Sequence, residues 1–457
     1  MLAIVTPEEM AAIDAAAPES IGELVERAGA AVARAVLELL GGAYGKRVVV
    51  LAGKGNNGAD GRAAAARLRS RGVRVTVIDA ARPPATLPPA DLVIDAAYGT
   101  GFRGELRPPG RADPTTPVLA VDIPSGVDGL TGEASGSPWP ATRTVTFAAL
   151  KPGLLLADGP DLAGKVSVAD IGLDVSGARA HLVEAADVAA WLPTRERDTH
   201  KWKAAAWIVA GSPGMTGAAH LATRAAQRAG AGYVRLSTPG SDLDPFAPTE
   251  AVVTALDADG WAATVLDGDA RFGALAVGPG LGTRASDAAQ VCELVARSTR
   301  PIVVDGDGLR ALGRDAADRV AARPDGAGPV VLTPHEGEFE ALAGRPPGAD
   351  RFAAVRDLAA SSGAIVLLKG STTLVARPDG RAWASTTGDA RLASAGTGDV
   401  LTGTVVALLA QGLPGERAAV AAAYLHGRAG ALAWRRGLVA GDVVDHLPAA
   451  LSELPGG

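Results

Sequence analysis

Two constellations of polar residues in this chain have the types and spacing for chemistry. The first spans Asn56-Asn57-Gly58-Ala59-Asp60-Gly61, Val121-Asp122-Ile123-Pro124-Ser125-Gly126 and Leu150-Lys151-Pro152-Gly153. The Asn56 segment follows the β-branched run Val48-Val49-Val50 and precedes a helical pattern over residues 62–68. It reads as a glycine-rich strand-to-helix turn, which exposes backbone N–H groups and a helix dipole to an anion. Two side-chain amides and a carboxylate exceed what a plain turn requires, so a ligand is expected; a tight βα connection that binds nothing is the alternative. Asp95 lies four residues before a second glycine-rich turn, Gly99-Thr100-Gly101-Phe102-Arg103-Gly104-Glu105, able to close over a ligand opposite residues 56–60. Asn57, Asp95 and Ser125 offer hard oxygen donors, a set suited to a monovalent or hard divalent cation rather than zinc. Each is also a residue type that simply caps a following helix. Asp122 and Lys151 put a carboxylate and an ammonium where they could shuttle protons. A structural ion pair is the other reading.

The second constellation is Ala395-Gly396-Thr397-Gly398-Asp399-Val400-Leu401-Thr402-Gly403. Its glycines free backbone amides at a helix start, an anion hole for a transferring phosphoryl group, and Asp399 is placed to take a proton from a substrate hydroxyl. A purely structural helix cap is the alternative. Around it stand Gly278-Pro279-Gly280-Leu281-Gly282, Val304-Asp305-Gly306-Asp307-Gly308, Thr333-Pro334-His335-Glu336-Gly337-Glu338 and Lys369-Gly370-Ser371-Thr372-Thr373. The last offers a cation, hydroxyls and amides to nucleotide phosphates. His335 opens a helix, where a neutral imidazole could hydrogen-bond a ligand, whereas the apolar-flanked His426 reads as core. No Gly-x-x-x-x-Gly-Lys-Ser/Thr occurs, so this is not a Walker-type site.

The elements that must position these residues come in two series. Thr6-Pro7-Glu8-Glu9 is a capping box with proline at the first helical position. Strand patterns at 47–51, 73–78, 92–95 and 118–123 alternate with helical stretches, which implies a doubly wound parallel sheet with ligands at the strand carboxyl ends. Around 176–199 the pattern weakens into alanine-rich, charged sequence that reads as a connector. A second α/β series follows at 204–211, 233–237, 274–277, 301–305, 329–333 and 364–368, closed by helices near 398–411 and 418–434. The expected division is a first domain over 1–177, a linker over 178–199 and a second domain over 200–457.

Composition narrows the class. A chain of 457 residues exceeds one ordinary core. Its formal charge of −6 argues against nucleic acid or an anionic membrane as partner. No apolar run reaches membrane-spanning length and no secretory signal is evident, so a cytoplasmic protein is expected. The single cysteine, Cys292, excludes an internal disulfide framework and reads as a small core residue. Only seven of 44 basic residues are lysine, so a lysine inside a motif points to a need for its compact ammonium.

Taken together, these motifs resemble the bifunctional NAD(P)H-hydrate repair enzymes over nearly the whole chain. The most specific pieces are residues 56–61, 121–126, 151–153 and 396–399, with Gly211-Ser212 and Met215-Thr216-Gly217-Ala218-Ala219. The resemblance implies a Rossmann-like NAD(P)H-hydrate epimerase domain followed by a ribokinase-like, ADP-dependent NAD(P)H-hydrate dehydratase domain. It implies that Asn56, Asn57, Gly58, Ala59, Asp60, residues Gly99 to Glu105 and Asp122 hold the hydrated nucleotide, and that Asn57, Asp95 and Ser125 bind potassium. In the dehydratase it implies that Ala218, Gly280, His335 and Asp399 contact the hydrate, with Lys369, Gly370, Ser371, Thr372, Thr373 and Gly398 on the adenine nucleotide. Asp122, helped by Lys151, would move protons in epimerisation, and Asp399 would deprotonate the ring hydroxyl for phosphorylation by ADP with Mg²⁺. The expected partners are NADHX, NADPHX and ADP, and a homo-oligomer is expected.

Three residues depart from the family pattern. Ala59 replaces a glycine, which leaves its amide available. Trp202 replaces the glycine after the His200-Lys201 pair, so packing should differ there. Val25 replaces a methionine, with no functional change expected. Two other readings remain. A small-molecule kinase with an appended binding domain would share Asp399 but not need Asn57, Asp95, Asp122 and Lys151. A nucleotide-sensing scaffold would leave Asp122 and Lys151 idle.

Overall fold

A computed structural model describes residues 1–456 apart from 242, 243 and 245. The chain divides into two compact units, Leu2–Ala180 and His181–Gly457.

In the first unit the strands are β1 (Arg47–Ala52), β2 (Arg74–Asp79), β3 (Leu92–Ala96), β4 (Val118–Val121), β5 (Arg143–Phe147) and β6 (Lys165–Ala169). They form a parallel sheet in the order β2-β1-β3-β4-β5-β6. The chain runs to opposite sides of β1 on its way to β2 and β3, the switch point where doubly wound sheets open a crevice at their carboxyl ends. Helices α1 (Pro7–Ala16), α2 (Ile21–Leu40) and α3 (Asn56–Ser70) frame that crevice. The capping box read at Thr6 and Glu9 is present, and Ser20 with Glu23 makes a second. Val32 and Val36, at helical spacing on α2, are fully buried in one core cluster with Val48, Val50 and Ile94 of the sheet. A second cluster, which includes Val49, Val93 and Val118, covers the other face. Strands buried on both faces are why β1 and β3 read as continuous apolar runs.

The second unit contains β7 (Ala205–Val209), β8 (Tyr233–Ser237), β9 (Val252–Val253), β10 (Ala274–Val277), β11 (Ile302–Val304), β12 (Val330–Leu332), β13 (Ile365–Leu368), β14 (Thr373–Ala376) and β15 (Ala382–Ser385). Their order is β15-β14-β13-β12-β11-β10-β7-β8-β9, with β13, β14 and β15 pairing antiparallel and the others parallel. The helices that matter below are α4 (Gly217–Arg228), α5 (Glu336–Ala343), α6 (Thr397–Ala410), α7 (Gly415–Leu432) and α8 (Ala440–Ser452). Helix α6 is buried along almost its whole length, as befits a helix that is apolar all round.

Some of these expectations change. The first unit extends to Ala180 rather than ending at 177, and the expected linker over 178–199 lies mostly in the second unit. Its helix Ala185–Trp191 buries Val188 completely. Ala185, Ala189 and Trp191 pack half-buried around it, but seven residues are too few for a stripe to show in the sequence. Trp202 stacks on Tyr233 with ring centroids 4.3 Å apart, and the Arg271 guanidinium lies 3.8 Å from the Trp202 ring centre. The departure from glycine there is thus filled by an aromatic and cationic stack. Cys292 is half-buried, with its thiol 3.5 Å from the Ala311 carbonyl oxygen, and His426 is buried as expected. Among the described residues, no helix is long and apolar enough to cross a membrane.

Candidate active sites

The carboxyl end of the first sheet opens into a cavity of about 770 Å³, lined by Asn56, Asn57 and Asp60, by Gly99, Thr100, Gly101 and Phe102, and by Asp122 and Lys151. Asp14 and Val25 also face it, so Val25 is a wall residue of the cleft. Gly58, Ala59, Arg103, Gly104 and Glu105 are not among its lining residues. Glu105 pairs instead with Arg107 at 3.0 Å, and Arg103 donates to the Phe102 carbonyl at 2.7 Å.

The sequence places the start of α3 too late: the pentad is not a loop but its first turn. Gly58 is required by close approach, because a Cβ there would lie 1.9 Å from the Gly53 carbonyl oxygen. The Ala59 amide is not free, since it donates to Gly55 O at 3.1 Å. Inside a helix, alanine is a better choice than glycine, so this departure costs the site nothing.

Asp122 follows β4 with φ +66°, a left-handed conformation rare outside glycine, asparagine and aspartate. That turn aims its carboxylate back at Lys151, whose Nζ lies 2.6 Å from Oδ1, while Thr146 Oγ1 donates to the same oxygen at 2.9 Å. The ammonium is 1 % exposed and also donates to the carbonyls of Phe147 at 3.1 Å and Ala149 at 3.3 Å. Such a cage fits a compact ammonium and excludes a planar guanidinium. Asp60, 7 % exposed on α3, is pushed up to about 8 by burial and then by the neighbouring Asp122 and Asp14.

Asn57, Asp95 and Ser125 meet around the Tyr98 backbone. Ser125 Oγ donates to Asp95 Oδ1 at 2.6 Å, the Ser125 amide donates to Oδ2 at 2.9 Å, and Asn57 Nδ2 donates to Tyr98 O at 3.0 Å. Asp95 is 2 % exposed and pairs with no basic side chain among the described residues; burial pushes its carboxyl above the usual range against these hydrogen bonds.

In the second unit, Gly396 adopts φ +89° to start α6, and Asp399 sits in the first turn. Burial, with the charges of Asp305, Glu338 and Asp307, pushes Asp399 up to about 7 against the pull of Lys369. Lys369 Nζ lies 3.5 Å from where a Gly398 side chain would begin, so the lysine reaches the helix start. Its ammonium is not free, however: it pairs with Asp305 at 2.8 Å and Glu338 at 3.4 Å. Thr402 Oγ1 holds the other Asp305 oxygen at 2.6 Å. His335 caps α5, its Nδ1 accepting from the Gly337 amide at 3.1 Å, which leaves the ring hydrogen of the neutral form on Nε2. Ala218 and Gly280 adjoin, with a Cβ on Gly280 falling 3.1 Å from Ala218 Cβ. Gly370, Ser371 and Thr372 form the turn between β13 and β14, and Thr373 opens β14. Arg351 donates to the Lys369 carbonyl at 3.4 Å beside that turn; its single-residue context gave no signal in the sequence.

The profile described as NAD(P)H-hydrate dehydratase matches residues 206–451, and that of the YjeF-related protein N-terminus matches 21–88 and 78–153. Bifunctional NAD(P)H-hydrate repair enzymes match along nearly the whole chain. That of Moorella thermoacetica is 36% identical, covering 94% of this chain and 92% of its own, and that of Thermofilum pendens is 36% identical, covering 98% and 95%. The chain belongs to this family. The ADP/ATP-dependent NAD(P)H-hydrate dehydratase of Bacillus subtilis, co-crystallised with ATP/Mg²⁺, is 31% identical with a TM-score of 0.53, covering 60% of this chain and 98% of its own. A ribokinase-like superfamily protein of Enterococcus faecalis shares the fold at 21% identity and a TM-score of 0.52. The family's two halves coincide with the two units, a Rossmann-like sheet and a ribokinase-like one.

Proposed function

We propose that the first unit interconverts the R and S hydrates of NADH and NADPH, and that the second dehydrates the S form with ADP, giving AMP and phosphate. The observation that carries this reading is one chain with two separately built sites, a buried Asp122–Lys151 pair and an Asp399 carboxyl at a glycine-rich helix start. A hydroxyl is a poor leaving group near neutral pH. Asp399 takes its proton, phosphorylation converts it to a good leaving group, and elimination restores the ring double bond. The amides at the start of α6 hold the phosphoryl charge in transit. Among the described residues, no three His, Cys, Asp or Glu side chains converge for a metal. Mg²⁺ therefore fits as an ion carried by nucleotide phosphates and water, supplying charge neutralisation.

The test is the purified protein with R or S NADHX, followed at the reduced-nicotinamide absorbance band. With ADP, S hydrate should recover fully and R hydrate after a lag. Without ADP, R and S should equilibrate while no NADH forms. AMP formation from other alcohols, with none from the hydrate, would instead establish a small-molecule kinase.

The Asp95, Ser125 and Asn57 cluster suits potassium, since a buried carboxylate lacking a basic partner beside hydroxyl, amide and carbonyl oxygens is a hard-donor site. When bound, the cation supplies a positive charge that fixes the turn at Tyr98. Asp95→Ala should then lower epimerisation and remove its dependence on potassium, measured by chromatography of the two hydrates in potassium and in tetramethylammonium buffers. Indifference of the parent protein to potassium would remove the assignment. Light scattering checks the expected homo-oligomer.

A further inference from the structure

The first cleft holds two acidic groups that neither the ion pair nor the cation cluster uses, the exposed Asp14 at its rim and the buried Asp60. Asp60 sits one turn after Asn57 on α3, is 7 % exposed and faces the same cavity as Asp122 and Lys151. Among the described residues its carboxyl has no hydrogen-bond or ion-pair partner. The nearby cations are committed elsewhere or open to water. Lys151 is held by Asp122, Thr146 and two carbonyls, Arg62 donates to Gly53 O at 2.7 Å, and Lys54 is exposed. From the other elements around the cleft, Asp14 on α1 and Asp122 after β4 add negative charge. An unpaired carboxyl in such surroundings keeps its proton.

We propose that Asp60 is a catalytic residue of the epimerase, the acid that gives its proton to the departing hydroxyl, while the Asp122 carboxylate is the base for water returning on the opposite face. The proposal rests on the epimerase reading above. Water adds to an enamine with hydroxyl on the carbon bound to nitrogen, so the epimerised carbon is a hemiaminal. The carbon–oxygen bond breaks as the Asp60 proton moves to that oxygen, water leaves, and the ring nitrogen lone pair forms a C=N⁺ bond. A water molecule then attacks the other face, the C=N pair returns to nitrogen, and the excess proton goes to Asp122. Transfer of that proton through cleft water to the Asp60 carboxylate closes the cycle with no net change. Two groups of different protonation in one pocket are what such a cycle needs. The burial and crowding that push Asp60 up to about 8 keep its proton in place at neutral pH.

The sign follows: the acid form of Asp60 prevails below about 8 and is lost above it. Epimerisation of R NADHX by the full-length protein should therefore fall as pH rises through that range. Asp60→Asn should lower kcat by ~10²–10³-fold with KM within a few-fold, and should erase the descending limb. Asp14→Asn, at the cleft rim, removes one repelling charge and should move the limb to lower pH. This second variant keeps the idea testable if Asp60→Asn fails to fold by circular dichroism. An Asp60→Asn protein within ten-fold of the parent, or a limb that neither variant moves, overturns the acid role. A parent protein that does not interconvert the hydrates overturns the epimerase reading itself, a separate and visible failure.

Discussion

Asp399→Asn should abolish dehydration of the S hydrate, by ~10²–10⁴-fold in kcat, while R and S hydrates still equilibrate at the parental rate. The amide preserves shape and leaves the start of α6 intact, but it cannot accept the hydroxyl proton. The competing view, that Asp399 merely complements the helix dipole, predicts only ~0.3–1 kcal/mol of stability and no particular loss of turnover. A group held up to about 7 by burial and by Asp305, Glu338 and Asp307 is also tuned near the working pH, as a general base should be. A base acts when deprotonated, so kcat/KM of dehydration should rise with pH through about 7 and level off above it. In Asp399→Asn the residual rate should lose that ascent. Activity within a few-fold of the parent, or an unchanged ascent, would take Asp399 out of the reaction.

The two sheets were readable because parallel strands buried on both faces are unbroken apolar runs, and because chemistry sits where those runs stop. Asp95 and Asp122 stand at such ends in the first sheet, and Asp305 directly follows β11 in the second. What the sequence hid is of three kinds. The start of α3 at Asn56 is masked because Gly58 and Gly61 look like loop residues, yet serve close packing. Strands β14 and β15 are four-residue antiparallel pieces among polar turns, too short for a period to show, and α8 carries Pro448 inside it, a usual helix stop. Finally, Lys369 reads as a free phosphate-binding cation because its partner Asp305 is 64 residues away. Long-range pairing leaves no local trace, so the sequence named both residues without joining them.

Asp122→Asn should abolish epimerisation while leaving ADP-dependent dehydration of the S form untouched, so a mixture of hydrates would be consumed only as far as its S share. Asparagine tolerates the left-handed backbone at this position, so the substitution tests the charge rather than the turn. It strands the Lys151 ammonium, 1 % exposed, on neutral acceptors alone. Breaking a buried pair by removing one partner typically costs ~3–5 kcal/mol, against ~0–1 for an exposed one. Access of the cleft to water, with the Asp122 side chain 18 % exposed, places the loss toward the lower end. A purely structural ion pair would also lose stability, so the double variant Asp122→Asn, Lys151→Met decides. Replacing both charges removes the stranded ammonium and should recover much of the thermal stability of the first unit. If the pair only holds the fold together, epimerisation returns with it. If Asp122 moves the proton, the double variant is stable and still stalls on the R hydrate, read from initial rates because slow spontaneous epimerisation blurs the end point.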